Sequence, residues 1–290
     1  MMANLPPSGR FDHRVIEAAP GETVFQGVPA GIEWTRDIVY RQIGQRRLHL
    51  DIWRPEEAPT PLPAVLWICG GGWMNMHWRG AYRVSAWLAG HGFAVLSAEY
   101  RCSGEAVFPA CIEDLATAVQ FVRRSAGEFC IHPERIGAWG DSAGGHLAAL
   151  LGVRAGDSEL RAAPELQEVS PAVSAICCFY PPTDLAAMEE VDGVQQLLGA
   201  PAAELPEAYK AASPIFHVNR HSPPHLLVHG TADRIVPFDQ SARYAEVLAA
   251  AGVEVSLLEL PRVGHDGRTA YGNGQIKQLV VEFFRRHLGR

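Results

Sequence analysis

Residues 140–144 read Gly-Asp-Ser-Ala-Gly, and the segments on either side of this stretch decide the fold. The preceding segment, 135–139, has the apolar character of a buried strand, and the following one, 145–151, is typical of a helix. A serine between glycines, on a sharp turn from a strand into a helix, is held as an exposed nucleophile. The alternative is that Ser142 only caps the helix, but its context favours the nucleophile.

Strand-like and helix-like segments alternate along most of the chain. A hairpin is predicted over 37–42 and 47–53, and apolar residues at helical spacing predict helices around 112–122 and 276–284. The further strand candidates are 64–68, 93–98, 135–139, 173–180, 225–229 and 253–260. This alternation implies the α/β class, with a mostly parallel sheet of about eight strands and helices on both faces. Ligands of such sheets bind at the carboxyl ends of the strands.

The length of 290 residues lies within the range of one α/β domain. Residues 37–290 are therefore predicted to form a single catalytic domain, preceded by an N-terminal surface segment at 1–36. Residues 181–222 form the only long insertion between predicted strands. Two interpretations of it stay open, a small lid or a helical excursion between two strands.

Composition excludes several kinds of partner. The formal net charge is −7 and the basic residues are scattered, so nucleic acid is not an expected partner. The first residues lack the apolar stretch of a secretory signal and no later run has the length of a membrane span, which predicts a cytoplasmic protein without membrane contact. The six cysteines lack zinc-site spacing, so free buried thiols are expected and no metal site. Nothing in the sequence indicates the oligomeric state.

A serine hydroxyl needs a base, and His265 lies on a loop directly after the last predicted strand. Asp233 follows the strand 225–229 and is the predicted acid that orients this base. The chain order of serine, acid and histidine is that of α/β-hydrolases. Asp184, which follows the preceding strand, is the rival acid.

An oxyanion hole requires backbone N–H groups near the end of an early strand and one after the nucleophile. Residues 69–73, Cys-Gly-Gly-Gly-Trp, follow the strand 64–68 and supply the first part, because three glycines leave bare backbone. Ala143 supplies the second part. Trp73 is a tentative substrate-binding residue, although ordinary packing explains a tryptophan here equally well.

Together these stretches resemble the hormone-sensitive-lipase-like branch of the α/β-hydrolases, and more closely its short acetyl-esterase and feruloyl-esterase-like (BD-FAE-like) members. The resemblance covers about residues 37–290 and rests on 69–73, 99–101, 108–114, 140–146, 229–233 and 264–265. It implies hydrolysis of a small-molecule or carbohydrate ester without a metal or an organic cofactor. It also assigns Gly71, Gly72 and Ala143 as the oxyanion donors, beside Ser142, Asp233 and His265 as the triad.

One position departs from the family, since Cys69 stands where a histidine usually supports the oxyanion loop. A pocket for short acyl chains is expected, because the N-terminal cap of the larger lipases is abbreviated here. Amide or peptide hydrolysis by the same triad is the first alternative, and a non-catalytic binding module is the second. The alcohol half of the ester stays open among sugar acetates, feruloylated glycans and simple aryl esters.

Overall fold

A nine-stranded sheet organises the chain in the computed structural model, which describes residues 11–16, 29–58, 60–80, 82–154, 160, 163–191 and 193–289. Its spatial order is β1-β9-β8-β7-β6-β4-β5-β3-β2. The strands are β1 Phe11–Val15, β2 Ile32–Ile43, β3 Arg46–Pro55, β4 Leu62–Ile68, β5 Ala94–Ala98, β6 Ile131–Asp141, β7 Ile176–Phe179, β8 His225–Gly230 and β9 Val255–Leu260. The strands from β1 to β5 in this order run parallel to one another. At that end of the sheet β3 pairs antiparallel with β5, and β2 pairs antiparallel with β3. The predicted α/β-hydrolase fold is confirmed.

Eight α-helices belong to the described part of the chain. They are α1 Tyr82–Ala89, α2 Ala110–Arg124, α3 Ala143–Arg154, α4 Val194–Leu198, α5 Pro206–Ala212, α6 Asp239–Ala250, α7 Gly267–Gly272 and α8 Gly274–Leu288. No described helix combines the length and the apolar character needed to cross a lipid bilayer.

Two apolar core layers lie on opposite faces of the sheet. In β4, Leu66 packs into one layer together with α2, α3 and α6, while Trp67 packs into the other together with α1 and α8. All seven residues of β4 are buried, because successive side chains of a central strand point to opposite, covered faces. This explains why the central strands read as continuous apolar runs.

The N-terminal segment differs from the prediction. Within the predicted surface segment 1–36, Phe11–Val15 forms the edge strand β1 and pairs parallel with β9. His13 Nε2 lies 2.8 Å from Glu259 Oε2 on that neighbour. The half-exposed residues of β1 show no apolar alternation, so the sequence pattern did not predict a strand there. The pairing of β1 also depends on a partner strand more than 240 positions away. Residues 1–10 and 17–28 of the predicted surface segment lie outside the described residues.

The insertion 181–222 packs onto the core beside the carboxyl ends of the strands. It holds two short helices, α4 and α5, joined by loops and single 3-10 turns. Its buried apolar side chains, which belong to the same core layer as α2 and α3, are Leu185, Met188, Val194, Leu197, Leu198, Tyr209, Ala212 and Ile215. The described part of the insertion is therefore a packed wall beside the predicted site.

Candidate active site

Ser142 occupies the turn between β6 and α3. Its φ of 52° lies in the left-handed region, which a non-glycine residue adopts only where the surrounding structure enforces it. The Ser142 N–H donates to Phe179 O at 2.9 Å, which anchors the turn to β7. A Cβ on Gly144 would lie 2.1 Å from Ile68 O, so only glycine permits this approach of helix to strand. The turn thus presents the Ser142 hydroxyl at the edge of the sheet.

His265 lies between Ser142 and Asp233, the predicted nucleophile and the predicted acid. Its Nε2 is 2.9 Å from Ser142 Oγ, and its Nδ1 is 2.7 Å from Asp233 Oδ2. The Tyr180 ring packs against the imidazole in an edge-on arrangement, with 4.5 Å between ring centroids. Both nitrogens of His265 are therefore engaged, and the ring plane is supported from the side.

Asp233 is buried and surrounded by donors. Its Oδ1 accepts the N–H groups of Ile235 and Val236, each at 2.9 Å, and His229 Nε2 lies 3.4 Å from Oδ2. Burial alone would raise its pKa, but the hydrogen bonds from His229, His265 and the Val236 N–H outweigh it and hold the pKa well below the ordinary value. Asp233 is thus a carboxylate at neutral pH, fixed behind His265.

The rival acid Asp184 lies elsewhere. Its Oδ1 accepts the Ala187 N–H at 3.4 Å, and Arg243 lies 3.3 Å from its Oδ2. The geometry therefore joins Asp233, and not Asp184, to His265.

The glycine loop after β4 faces Ser142 across the end of the sheet. Gly71 has a φ of 127°, and a Cβ there would lie 1.8 Å from Asn75 O. Within the described part of the chain, the N–H groups of Gly71, Gly72 and Ala143 donate to no protein acceptor. All three residues line the same cleft as Ser142 and His265, where free N–H groups favour a developing oxyanion. Ala143 also begins α3, whose amino-terminal dipole end is positive.

A buried histidine, which sequence reasoning missed, supports this loop. The Trp73 indole N–H donates to His146 Nδ1 at 3.1 Å, so the His146 hydrogen is on Nε2, which donates to Ala212 O at 2.7 Å. Burial lowers the pKa of His146 to about 4, and the ring is neutral at neutral pH. His146 thus connects the glycine loop to the insertion. The position of His146, one helical turn after Ser142, was the feature of the sequence that could have pointed to it. Its hydrogen-bond partners could not be predicted, because they are distant in sequence.

The backbone at Cys69 is held by hydrogen bonds to neighbouring parts of the structure. Its carbonyl accepts the Tyr100 hydroxyl at 2.8 Å, and the next N–H, of Gly70, donates to Asp141 Oδ1 at 3.3 Å. Burial, with a smaller contribution from the nearby Asp141 carboxylate, raises the pKa of the Cys69 thiol to about 12. The thiol also has a hydrogen bond with the His77 backbone, but the contacts with Tyr100 and Asp141 hold the loop through its own backbone.

A cleft of about 400 Å³ opens beside Ser142 and His265. Its apolar lining comes from Met188 and Val191 of the insertion and from Ile235 and Val236 after β8. Trp73 belongs to the lining, but its side chain is only 2 % exposed and packs edge-on to His146, so packing accounts for the indole. Within the described residues, no three His, Cys, Asp or Glu side chains gather as a metal site requires.

The sequence was compared with models of known protein families and with curated proteins. The BD-FAE family model matches residues 50–248, more than half of the chain. Esterase LipC of Mycobacterium tuberculosis is 35% identical over 74% of this chain and 56% of its own length. Esterase LipQ of the same organism is 33% identical over 88% of this chain and 63% of its own length. The matched region thus spans less than two thirds of these curated relatives.

Solved structures with the same architecture include a truncated carbohydrate esterase from gut microbiota, with a TM-score of 0.79 and 28% identity, over 93% of this chain and 99% of that one. A propionate-bound esterase from Thermogutta terrifontis, Est2, has a TM-score of 0.75 and 28% identity, over 90% of this chain and 95% of its own. The likeness therefore extends over almost the whole length of both solved chains.

Proposed function

Because this chain belongs to the BD-FAE family of α/β-hydrolases, we propose that it hydrolyses carboxylic esters through an acyl-enzyme on Ser142. The observation that carries the proposal is the hydrogen-bonded series Ser142–His265–Asp233 at the wall of an open cleft. The relatives named as esterases support the ester as the bond that is cleaved.

Acylation begins with attack of Ser142 Oγ on the ester carbonyl carbon. His265 Nε2 accepts the serine proton, because it already lies 2.9 Å from Oγ. Asp233 holds the Nδ1–H and stabilises the imidazolium that forms. His265 then gives the proton to the alcohol oxygen, which leaves, and the acyl group stays on Ser142.

Two tetrahedral intermediates form in the cycle, and each places a negative charge on the former carbonyl oxygen. The N–H groups of Gly71, Gly72 and Ala143 are the proposed donors to this oxygen. In the second half of the cycle, His265 takes a proton from water, which attacks the acyl-enzyme and releases the carboxylic acid. Ser142 regains its proton from His265.

The proposed substrates are small-molecule or carbohydrate esters with a short acyl chain. The cleft of about 400 Å³ fits a small acyl group, and Met188 and Val191 limit it on the side of the insertion. The propionate bound by the Thermogutta esterase is consistent with a small acyl group at such a site.

Ser142→Ala tests the nucleophile. Hydrolysis of p-nitrophenyl acetate is expected to fall by about 10⁴-fold or more, because the hydroxyl forms the covalent bond, while circular dichroism stays unchanged. A fluorophosphonate probe should label the wild type and not the variant. Hydrolysis within tenfold of the wild type would refute the assignment, and a wild type that is not labelled would favour the non-catalytic alternative.

A further inference from the structure

Ile235 is a large apolar side chain at the mouth of the cleft. It is 52% exposed, although residues of its type are usually buried. It lies two positions after Asp233 and lines the cleft together with Val236. An exposed isoleucine beside a nucleophile loses its contact with water when a ligand covers it, which favours an apolar ligand group.

The chemistry of the triad determines which half of the ester meets Ile235. His265 must give its proton to the alcohol oxygen, so the alcohol half leaves on the side of His265. Ile235 lies on this side, because its N–H donates to the carboxylate of Asp233 that holds the His265 ring.

Another part of the wall comes from the insertion and lies beside the glycine loop. Gly193 follows Val191 closely in sequence and approaches the loop so near that a Cβ on it would lie 2.6 Å from Gly72 O. Met188 and Val191 therefore face the acyl half.

Polar recognition of an alcohol requires side chains with free donors or acceptors. Of the described lining residues, Ser142 and His265 belong to the reaction itself. Asp141 also lines the cleft, but its Oδ1 accepts the Gly70 N–H at 3.3 Å and its Oδ2 accepts the Tyr180 hydroxyl at 3.4 Å, so both side chains are engaged. The Trp73 N–H is engaged by His146. Sugar hydroxyls placed against Ile235 would lose water without gaining partners among these side chains, which costs binding energy.

We infer that this cleft selects esters of apolar alcohols over esters of sugars, with Ile235 as the specificity-determining contact. The inference rests on the proposed ester hydrolysis at Ser142. Ile235 contributes an apolar surface to the ring or chain of the alcohol, and the preference is expressed in kcat/KM for the two alcohol classes.

A matched substrate pair tests the inference. Cyclohexyl acetate and a monoacetate of methyl β-xylopyranoside share the acyl group, the ring size and the secondary ester, and differ in ring polarity. The wild type should favour cyclohexyl acetate by about tenfold or more in kcat/KM. Ile235→Asn should lower kcat/KM for cyclohexyl acetate by about tenfold, mainly through KM, and leave the xyloside ester nearly unchanged.

Three further variants complete the test. Ile235→Leu keeps an apolar side chain and should keep the preference, whereas Ile235→Ala should weaken it even if the asparagine variant does not fold. Val247→Asn, on α6 and also exposed, is the matched control and should change neither rate. An equal or higher kcat/KM for the xyloside ester, or a preference unchanged in Ile235→Ala, would overturn the inference while ester hydrolysis stands. Absence of hydrolysis of both esters and of fluorophosphonate labelling would reject the proposed function itself.

Discussion

Asp233 has the surroundings that a carboxylate needs if it is to stay charged while buried. Two backbone N–H groups satisfy one oxygen, and His265 with the more distant His229 surrounds the other. These donors hold its pKa below the ordinary value, even though burial acts in the opposite direction. The charge of Asp233 therefore persists at neutral pH, where it faces the His265 ring.

Asp233→Asn is expected to reduce kcat for ester hydrolysis by about 10³-fold to 10⁴-fold, because a neutral amide stabilises neither the tautomer nor the imidazolium. Steady-state kinetics on p-nitrophenyl acetate measures the change. Asp184→Asn is the matched control, since Asp184 contacts Arg243 and not His265, and its kcat should stay within about threefold of the wild type. A larger loss in the Asp184 variant would move the acid to that position.

Cys69 is a second residue whose surroundings predict its behaviour. The thiol has a pKa raised to about 12 by burial, so it is protonated and a poor nucleophile at neutral pH. Its loop is held through Tyr100, Asp141 and the connection from Trp73 to His146. These contacts hold the loop although Cys69 stands at the position where the family resemblance predicts a histidine.

Cys69→Ala and Cys69→Ser should retain at least about a tenth of the ester hydrolysis, because the contacts of the loop backbone with Tyr100 and Asp141 stay in place in both variants. Mild treatment with iodoacetamide should leave the wild-type rate of ester hydrolysis unchanged, unless the adduct on the thiol blocks the cleft. The decisive observation against this view is complete loss of hydrolysis in Cys69→Ser, with an intact fold and with Ser142 still labelled by a fluorophosphonate.

At the scale of elements, the insertion 181–222 contributes to the site through packing. Ala212, at the end of α5, accepts the Nε2 hydrogen of His146, and the segment before α4 approaches the glycine loop at Gly72. Met188 and Val191 form the wall beside that loop. One element therefore supports the glycine loop and also lines the cleft, on the side that we assign to the acyl chain.

This arrangement predicts an acyl-length preference. Acetyl and butyryl p-nitrophenyl esters should have higher kcat/KM than esters of twelve or more carbons, because Met188 and Val191 close the acyl side. Val191→Ala removes two methyl groups from this wall and should raise kcat/KM for the butyryl or hexanoyl ester relative to acetyl by severalfold. Val247→Ala, on the surface of α6, controls for a general effect of the substitution. A wild-type kcat/KM that rises steadily with acyl length would instead indicate a lipase-like tunnel.

At the scale of the whole molecule, two buried neutral histidines link folding to pH. His146 lies in α3, and His225 lies in β8 with its ring between Pro223 O and the Tyr244 hydroxyl. Burial lowers the pKa of each to about 4, from an ordinary value of 6.5. Between these two values the unfolded chain binds protons that the folded protein does not, so stability falls as the pH falls through this window.

The free energy of unfolding should therefore decrease between about pH 6.5 and pH 4, by up to about 1.4 kcal/mol per pH unit for each histidine. Urea unfolding at pH 7, 6 and 5, followed by circular dichroism, measures this slope. His225→Gln should reduce it, because glutamine does not titrate. The exposed His221→Gln serves as the control and should leave the slope unchanged. An equal slope in wild type and His225→Gln would contradict the link.

The sequence by itself determined the α/β class, the central strands and the three positions Ser142, Asp233 and His265, which the structure brings within hydrogen-bond distance. It did so because these features are local. Buried parallel strands read as apolar runs, and in a parallel sheet the loops after them meet at one edge. The glycines proposed for the oxyanion hole follow from the same rule, since they too come directly after a strand.

Only the tertiary structure decided the place of β1, the connection of Trp73 through His146 to Ala212, and the position of Ile235 at the cleft mouth. The distances in the structure also distinguish Asp233, which contacts His265, from Asp184, which contacts Arg243. Each of these features depends on groups far apart in sequence, and no local spacing encodes which distant partner a side chain will meet. The relevant interactions exist only once the sheet and the insertion have packed, because packing brings the partner atoms within contact distance.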